Sequence, residues 1–411
     1  MRKTAGRWRR AESRVVAPGH HRVSRNRGGG RGRSPSDRWF KRIVLFSLLV
    51  AAVVVGSIYL DPNQRDEVGS WFYRPNDLGT PLEAGHDQRA EPAAKPDLQS
   101  SVTTHPKTLL ETWGAEELRG KPGDGRIISL RPPDHNPPQF IETNEMLQFQ
   151  KVDERRSGSI RRVRLPQGKN LVALTFDLCE QADDITGYDR GIVNFLRGRQ
   201  VPATFFAGGK WMQSHPEKAL QLMADPNFEI GNHGWTHGNL RVLKGQAMLD
   251  QIVWTQSEYE RLWEELNQRA RSFGLEAEMQ RIPRQPLTFR FPYGTCDAES
   301  LHAANELGLS AIQWDVVSGD ASPHVSAETI SQRVIRDVRP GSIIVFHANG
   351  RGRGTAGALP KIVRTLKAKG FRFVTVSGLL NAGDPESADE CYELRPGDNW
   401  YIDAKFGKGT Q

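Results

Sequence analysis

Two histidines follow a short apolar run in Phe228-Glu-Ile-Gly-Asn-His233-Gly-Trp-Thr-His237, at a spacing of four. Neutral imidazoles so placed can share one borderline divalent cation such as Zn²⁺, and hydrolytic sites combine such ligands with a carboxylate and an open position. The pattern is not the helical His-Glu-x-x-His of metalloproteases, because the glycines at 231, 234 and 238 break a helix. It predicts a strand end followed by a loop. A lone His-x-x-x-His is also what surface or core histidines produce, so its meaning depends on partners elsewhere.

The elements that must bring such partners together begin near residue 170. Short β-rich runs at Leu171–Phe176, Ala203–Ala207, Phe228–Gly231, Leu287–Phe291, Ala311–Val316, Ser342–Phe346 and Phe371–Val376 alternate with amphipathic stretches near 190–198, 215–224, 245–272, 298–307, 326–338 and 357–369. Strands alternating with helices predict a parallel sheet, here an α/β fold with a distorted (β/α) barrel of about seven strands. In such a fold chemistry sits where strands end. Asp177 follows the first run, His233 and His237 the third, Asp320 the fifth and His347 the sixth, while Arg290 lies within the fourth and Asp315 near the end of the fifth. Caps or buried ion pairs explain one or two such positions and not the whole set.

Thr175-Phe-Asp177, His233-Gly-Trp-Thr-His237, Arg290-Phe-Pro-Tyr293, Asp315-Val-Val-Ser-Gly-Asp320 and Val345-Phe-His347 resemble, in order, the five motifs of the polysaccharide deacetylases. These metal-dependent carbohydrate esterases share the NodB homology domain. Val201-Pro-Ala-Thr-Phe-Phe-Ala-Gly-Gly is similar to that family's second strand, and the resemblance spans residues 170 to about 380. It implies a divalent metal, most simply Zn²⁺, held by His233 and His237, with Asp177 as general base and Arg290 orienting its carboxylate. His347 becomes the acid that protonates the leaving nitrogen, held charged by Asp320 or, second, by Asp315. The backbone N–H of Tyr293 completes the oxyanion site. Trp235 and Trp314 fit either a sugar groove or the core.

The chain departs from the family at its metal carboxylate, where Leu178 stands and cannot ligate. The loop that follows is longer than usual, and it offers Glu180 as the first replacement, then Asp184 and Asp183, then Cys179. Gly234 replaces a common Ser or Thr, and Val317 stands where the fourth motif's first Asp belongs. Cys179 and Cys296 each follow a motif at the same barrel mouth, so a Cys179–Cys296 disulfide is expected, with Cys391 free. The helix-rich stretch 245–286 is expected to form part of the rim.

The net charge of +8 belongs to a tail: residues 1–42 hold fourteen Lys/Arg against Glu12 and Asp37, leaving the remainder about four units negative. Rich in Arg, Gly and Ser, that tail reads as disordered and cytoplasmic, a topology signal rather than a nucleic-acid binder. Ile43–Leu60 is eighteen residues without a charge, flanked by Lys41-Arg42 and Asp61. It predicts an uncleaved inner-membrane span with a cytoplasmic N-terminus and a periplasmic or extracytoplasmic catalytic domain. Recurrent prolines make residues 61–165 a largely irregular spacer; the catalytic domain runs over 166–385, and 386–411 reads as a tail. The expected activity is removal of N-acetyl groups from an N-acetylglucosamine-containing polysaccharide. A catalytically silent glycan-binding module, or an esterase or amidase for another acyl substrate, are the alternatives.

Overall fold

Leu171–Leu178 is apolar nearly throughout, as a strand covered on both faces must be, and every residue of it is buried. It forms strand β1 of a parallel sheet whose other members are β2 (Ala203–Ala207), β3 (Phe228–Asn232), β4 (Thr288–Phe289), β5 (Ser310–Ala311), β6 (Val316–Val317), β7 (Ile343–His347) and β8 (Arg372–Phe373). The computed structural model describes residues 107–139 and 150–410, all within one compact unit, Leu98–Gln411. The Arg-rich tail, the span expected over 43–60, and spacer residues 61–106 and 140–149 lie outside the described residues. Among the described residues, no helix is long and apolar enough to cross a membrane.

The strands run in the order β5-β4-β3-β2-β1-β7-β6, with β8 paired to the start of β1. Among the described residues β5 and β6 share no ladder, so the seven-strand path curls into a half-barrel, consistent with the distorted barrel expected. The reason lies in the run Ala311–Val316, which does not stay one strand. Ile312 N–H donates to Phe289, whereas Gln313 N–H turns to Ile160 and Asp315 N–H to Ile343, so the run changes partners midway.

Alternation along β1 sets both the core and the site. Phe176 faces the surrounding helices and stacks between Phe205 and Phe346, register neighbours on β2 and β7, at 5.4 and 5.3 Å. Ile192 and Leu196 of helix Arg190–Gly198, Ile362 and Leu366 of helix Thr355–Ala368, and Leu262 and Leu266 of helix Gln246–Phe273 join this core. Burying each such side chain contributes about 1.5–3 kcal/mol before chain entropy is charged against it. Thr175 and Asp177, one residue either side of Phe176, necessarily face the opposite way.

Two segments expected to be loose are part of the domain. Leu109 and Trp113 of the spacer are buried in the main core, and the Arg269 guanidinium lies 4.0 Å from the Trp113 ring centre. At the other end, Asp384–Ala388 pairs antiparallel with the strand Ser159–Arg164. Residues 386–410 continue into a helix, Tyr401–Phe406, rather than forming a tail.

The disulfide is also not the expected one. Cys296 bonds to Cys391, while Cys179 is free and buried. β1 carries Cys179 inward among imidazoles, whereas the segment after β4 turns Cys296 outward against Phe289, Phe291 and Leu301, where Cys391 meets it.

Candidate active site

Parallel register places the expected acid and base beside each other: Asp177 at the end of β1 is the direct neighbour of His347 at the end of β7, and adjacent strands lie ~4.8 Å apart. His233 is the first residue after β3, and His237 closes its loop in a left-handed conformation, φ 55°. That conformation is costly for a residue with a Cβ and persists only because the surrounding loop holds it. Gln251 holds the loop by accepting from the N–H groups of Thr236 and Gly238.

Arg290, fully buried, binds Asp177 Oδ1 at 2.8 Å and Thr175 Oγ1 at 2.7 Å through Nη1. Its other nitrogens donate to the carbonyls of Ile312 and Gln313. Burial pulls the guanidinium pKa down against the pull of Asp177, yet the group remains the counter-charge that keeps a buried carboxylate satisfied. Asp177 Oδ2 is left facing His233 Nε2 at 3.9 Å.

His233 Nδ1 lies 2.8 Å from the Arg290 carbonyl, which can only accept. The proton therefore sits on Nδ1, and Nε2 presents its lone pair to the site. Cys179 Sγ lies 3.4 Å from that Nε2. Cys179 Sγ and ring nitrogens of His233 and His237 all lie within 4.8 Å of one another. Burial disfavours the thiolate, but His237 and His233 overcome it and hold Cys179 well below the ordinary thiol value. One sulfur and two imidazoles converging in a buried pocket fit a borderline divalent ion, and a thiolate donor matches Zn²⁺ better than Mg²⁺ or Ca²⁺.

Glu180, the first choice for the third ligand, is turned away. Its carboxylate accepts from Ser214 Oγ and from the backbone N–H of Thr186 at 2.9 Å, and burial raises its pKa to about 7 despite those bonds. Asp184, next in line, binds Gln181 N–H and Arg351. The reason is the two-residue period of an extended chain: Asp177 and Cys179 share a face, and Leu178 and Glu180 share the other. Leu178 lies in the hydrophobic core.

His347 Nδ1 pairs with Asp320 Oδ1 at 2.9 Å, and Asp320 Oδ2 accepts from His347 N–H at 2.7 Å and from Thr355 Oγ1 at 2.6 Å. Burial opposes the charged imidazole, but Asp320 outweighs it and raises the His347 pKa well above the ordinary value. Asp315, the second candidate for this role, binds Ser342, Ile343 N–H and Arg339. Tyr293 adopts φ 60° at the turn after β4, and its ring lies 4.3 Å from that of His237 and 5.1 Å from that of Phe406.

Asp177, His237, Tyr293, Asp320 and His347 border one cavity of about 330 Å³. Trp314 lines it, whereas Trp235 is buried elsewhere with its indole N–H on the Asn136 carbonyl. The helix Gln246–Phe273 contributes no residue to the lining of this cavity. The wall comes from Glu393, Asn399, Tyr401 and Ile402, which the sequence reading missed. The third cysteine, in a segment set aside as a tail, was the available signal.

A family model described as polysaccharide deacetylase matches residues 164–312. The chain is 32% identical over 217 residues to a peptidoglycan-N-acetylglucosamine deacetylase of Bacillus cereus, covering 52% of this chain and 70% of that one. A second Bacillus cereus protein of the same description is 30% identical over 220 residues, covering 53% and 91%. A chitooligosaccharide deacetylase of Azorhizobium caulinodans is 27% identical over 221 residues, covering 51% and 93%.

Proposed function

The chain belongs to the polysaccharide deacetylase family, and from this we propose that it hydrolyses the N-acetyl groups of an N-acetylglucosamine-containing polysaccharide in or beyond the cell envelope. One observation carries the reading: a charge-paired Asp177 and a charge-paired His347 are register neighbours at a cavity that also reaches the Cys179, His233 and His237 cluster through His237. Relatives described as deacetylases of peptidoglycan N-acetylglucosamine and of chitooligosaccharide have the same acetamide bond to hydrolyse, and that bond is what the catalytic groups act on.

Cys179, His233 and His237 are the residues that would hold the metal, with Zn²⁺ the ion their donor atoms favour. Bound there, it supplies Lewis-acid polarisation and a nucleophile at neutral pH. Asp177 takes a proton from the attacking water while Arg290 fixes the carboxylate's direction. The Tyr293 N–H donates to the oxygen on which negative charge develops. His347, kept protonated by Asp320, passes its proton to the departing nitrogen, so that acetate and a free amine result. Water is consumed and nothing else is required.

The span over 43–60 anchors this domain to the inner membrane, with residues after 60 on its outer face. Cys296–Cys391 supports that placement, because disulfides persist in oxidising compartments.

Acetate release from chitooligosaccharides, peptidoglycan and simple acetyl esters, measured for the wild type and for Asp177→Asn with metal content determined alongside, tests the reading. A stoichiometric metal and acetate from a glycan, lost in Asp177→Asn, is the expected result. Acetate from esters alone would mean another acyl substrate. Glycan binding without metal or acetate would mean a silent module and overturn the proposal.

A further inference from the structure

Residues 391–410 are fastened to the catalytic machinery by more bonds than a terminal segment needs. Cys391 is bonded to Cys296, three residues beyond Tyr293. Arg241, four residues after His237, donates to Asp403 and Asn399, and Asn239 donates to Asp403. Phe406 stacks on Tyr293 at 5.1 Å with the planes 18° apart, and Asn239 N–H donates to the Lys408 carbonyl. The segment is therefore locked to the histidine loop and to the turn after β4, the two loops that carry His237 and Tyr293.

A clamp built only for stability buries its apolar side chains. This one leaves Tyr401 57% and Trp400 67% exposed at the start of its helix, and Tyr401 borders the same cavity as Asp177 and His347. Glu393 stands on that wall too. An exposed aromatic ring and an acidic residue on one cavity wall are suited to a pyranose. The ring covers the apolar C–H face of the sugar, and the carboxylate accepts from its hydroxyls. The cavity's volume of about 330 Å³ is at the lower end of the ~300–1,000 Å³ usual for small-ligand sites. It leaves a polymer's next sugar to be received at the mouth.

We propose that Tyr401, carried on the disulfide-locked segment 391–410, is the stacking platform for the sugar adjacent to the one whose acetamide reacts, with Glu393 accepting from that sugar's hydroxyls. This makes the enzyme selective for oligomers over short substrates, and it rests on the deacetylase reading above. The segment lies outside residues 164–312, which match the family model.

The test compares N-acetylglucosamine tetramer with dimer in the wild type, Tyr401→Ala, Tyr401→Phe and Trp400→Ala. The ratio of kcat/KM for tetramer over dimer is read within each protein, so a partly folded variant does not distort it. Loss of one stacked ring is expected to lower the ratio about tenfold in Tyr401→Ala. Tyr401→Phe keeps the ring and the ratio. Trp400, outside the cavity lining, is the control and keeps it too. An unchanged ratio in Tyr401→Ala overturns the proposal. If the wild type releases no acetate, the functional reading fails separately, and calorimetric binding of the tetramer to the same proteins decides the platform. Binding about tenfold weaker in Tyr401→Ala supports it, and equal binding, or none in the wild type, overturns it.

Discussion

Two buried sulfur centres in this domain share burial and have opposite chemistry. Cys179 is 7% exposed, lies 3.4 Å from His233 Nε2 and is surrounded by imidazoles that stabilise its thiolate. Cys296 and Cys391 are 2% and 1% exposed, lie among Phe289, Phe291, Leu301 and Ala304, and have closed on each other. The comparison teaches that burial alone does not assign a cysteine its role. Polar neighbours give one the chemistry of a ligand; apolar neighbours and a facing thiol turn the others into a cross-link.

The sharpest way to break the contrast is to remove each sulfur in turn. Cys179→Ala is expected to lose the metal and to lower kcat/KM by more than ~100-fold, since even residues that merely support a ligand are worth about 10–100-fold. Thermal unfolding of the metal-free proteins should differ little between this variant and the wild type. Retained stoichiometric metal in Cys179→Ala would show that the sulfur is not a ligand.

Cys391→Ala is expected to behave in the opposite way. It opens a cross-link across a separation of 95 residues and should cost about 2–4 kcal/mol in denaturant unfolding, with metal content unchanged. A variant that lost metal as readily as Cys179→Ala would erase the distinction.

A smaller effect is expected at the proton donor. Asp320 raises His347 against burial, so the charged imidazole persists at neutral pH and is lost only as pH rises through that raised value. In Asp320→Asn the imidazole pKa falls, and the alkaline limb of kcat should move down by about one to three pH units. An unmoved limb would assign that ionisation to another group.

The mildest change should be Glu180→Gln. Glu180 ties Ser214 to Thr186, and its pKa near 7 leaves it partly neutral at working pH, so an amide is a close substitute. Metal stoichiometry should hold, and stability should fall by about 1 kcal/mol. Metal analysis that found the site empty would return Glu180 to the ligand set and weaken the case for Cys179.

Local rules made much of the architecture legible. Apolar runs of strand length alternating with amphipathic stretches located β1, β2, β3 and β7 to within a residue or two, as well as helices Arg190–Gly198 and Gln246–Phe273. Spacing and motif order likewise brought out Asp177, His233, His237, Arg290, Asp320 and His347, because strand ends are where a parallel sheet exposes side chains. The expected run Leu287–Phe291 exceeds β4, and the single run Ala311–Val316 divides into β5 and β6, since two-residue pairings leave little periodic signal.

What the chain alone determined, then, is the sheet, its order of motifs and the two-residue alternation that sets Asp177 and Cys179 on one face of β1. Only the tertiary structure decided that Glu180 binds Ser214 and Thr186, that Cys296 finds Cys391, and that residues 393–402 rather than helix Gln246–Phe273 wall the cavity. The physical reason is range. Alternation and propensity act between neighbours in sequence, whereas ligand sets, cross-links and cavity walls are made by groups up to hundreds of residues apart, whose meeting depends on how every intervening element packs.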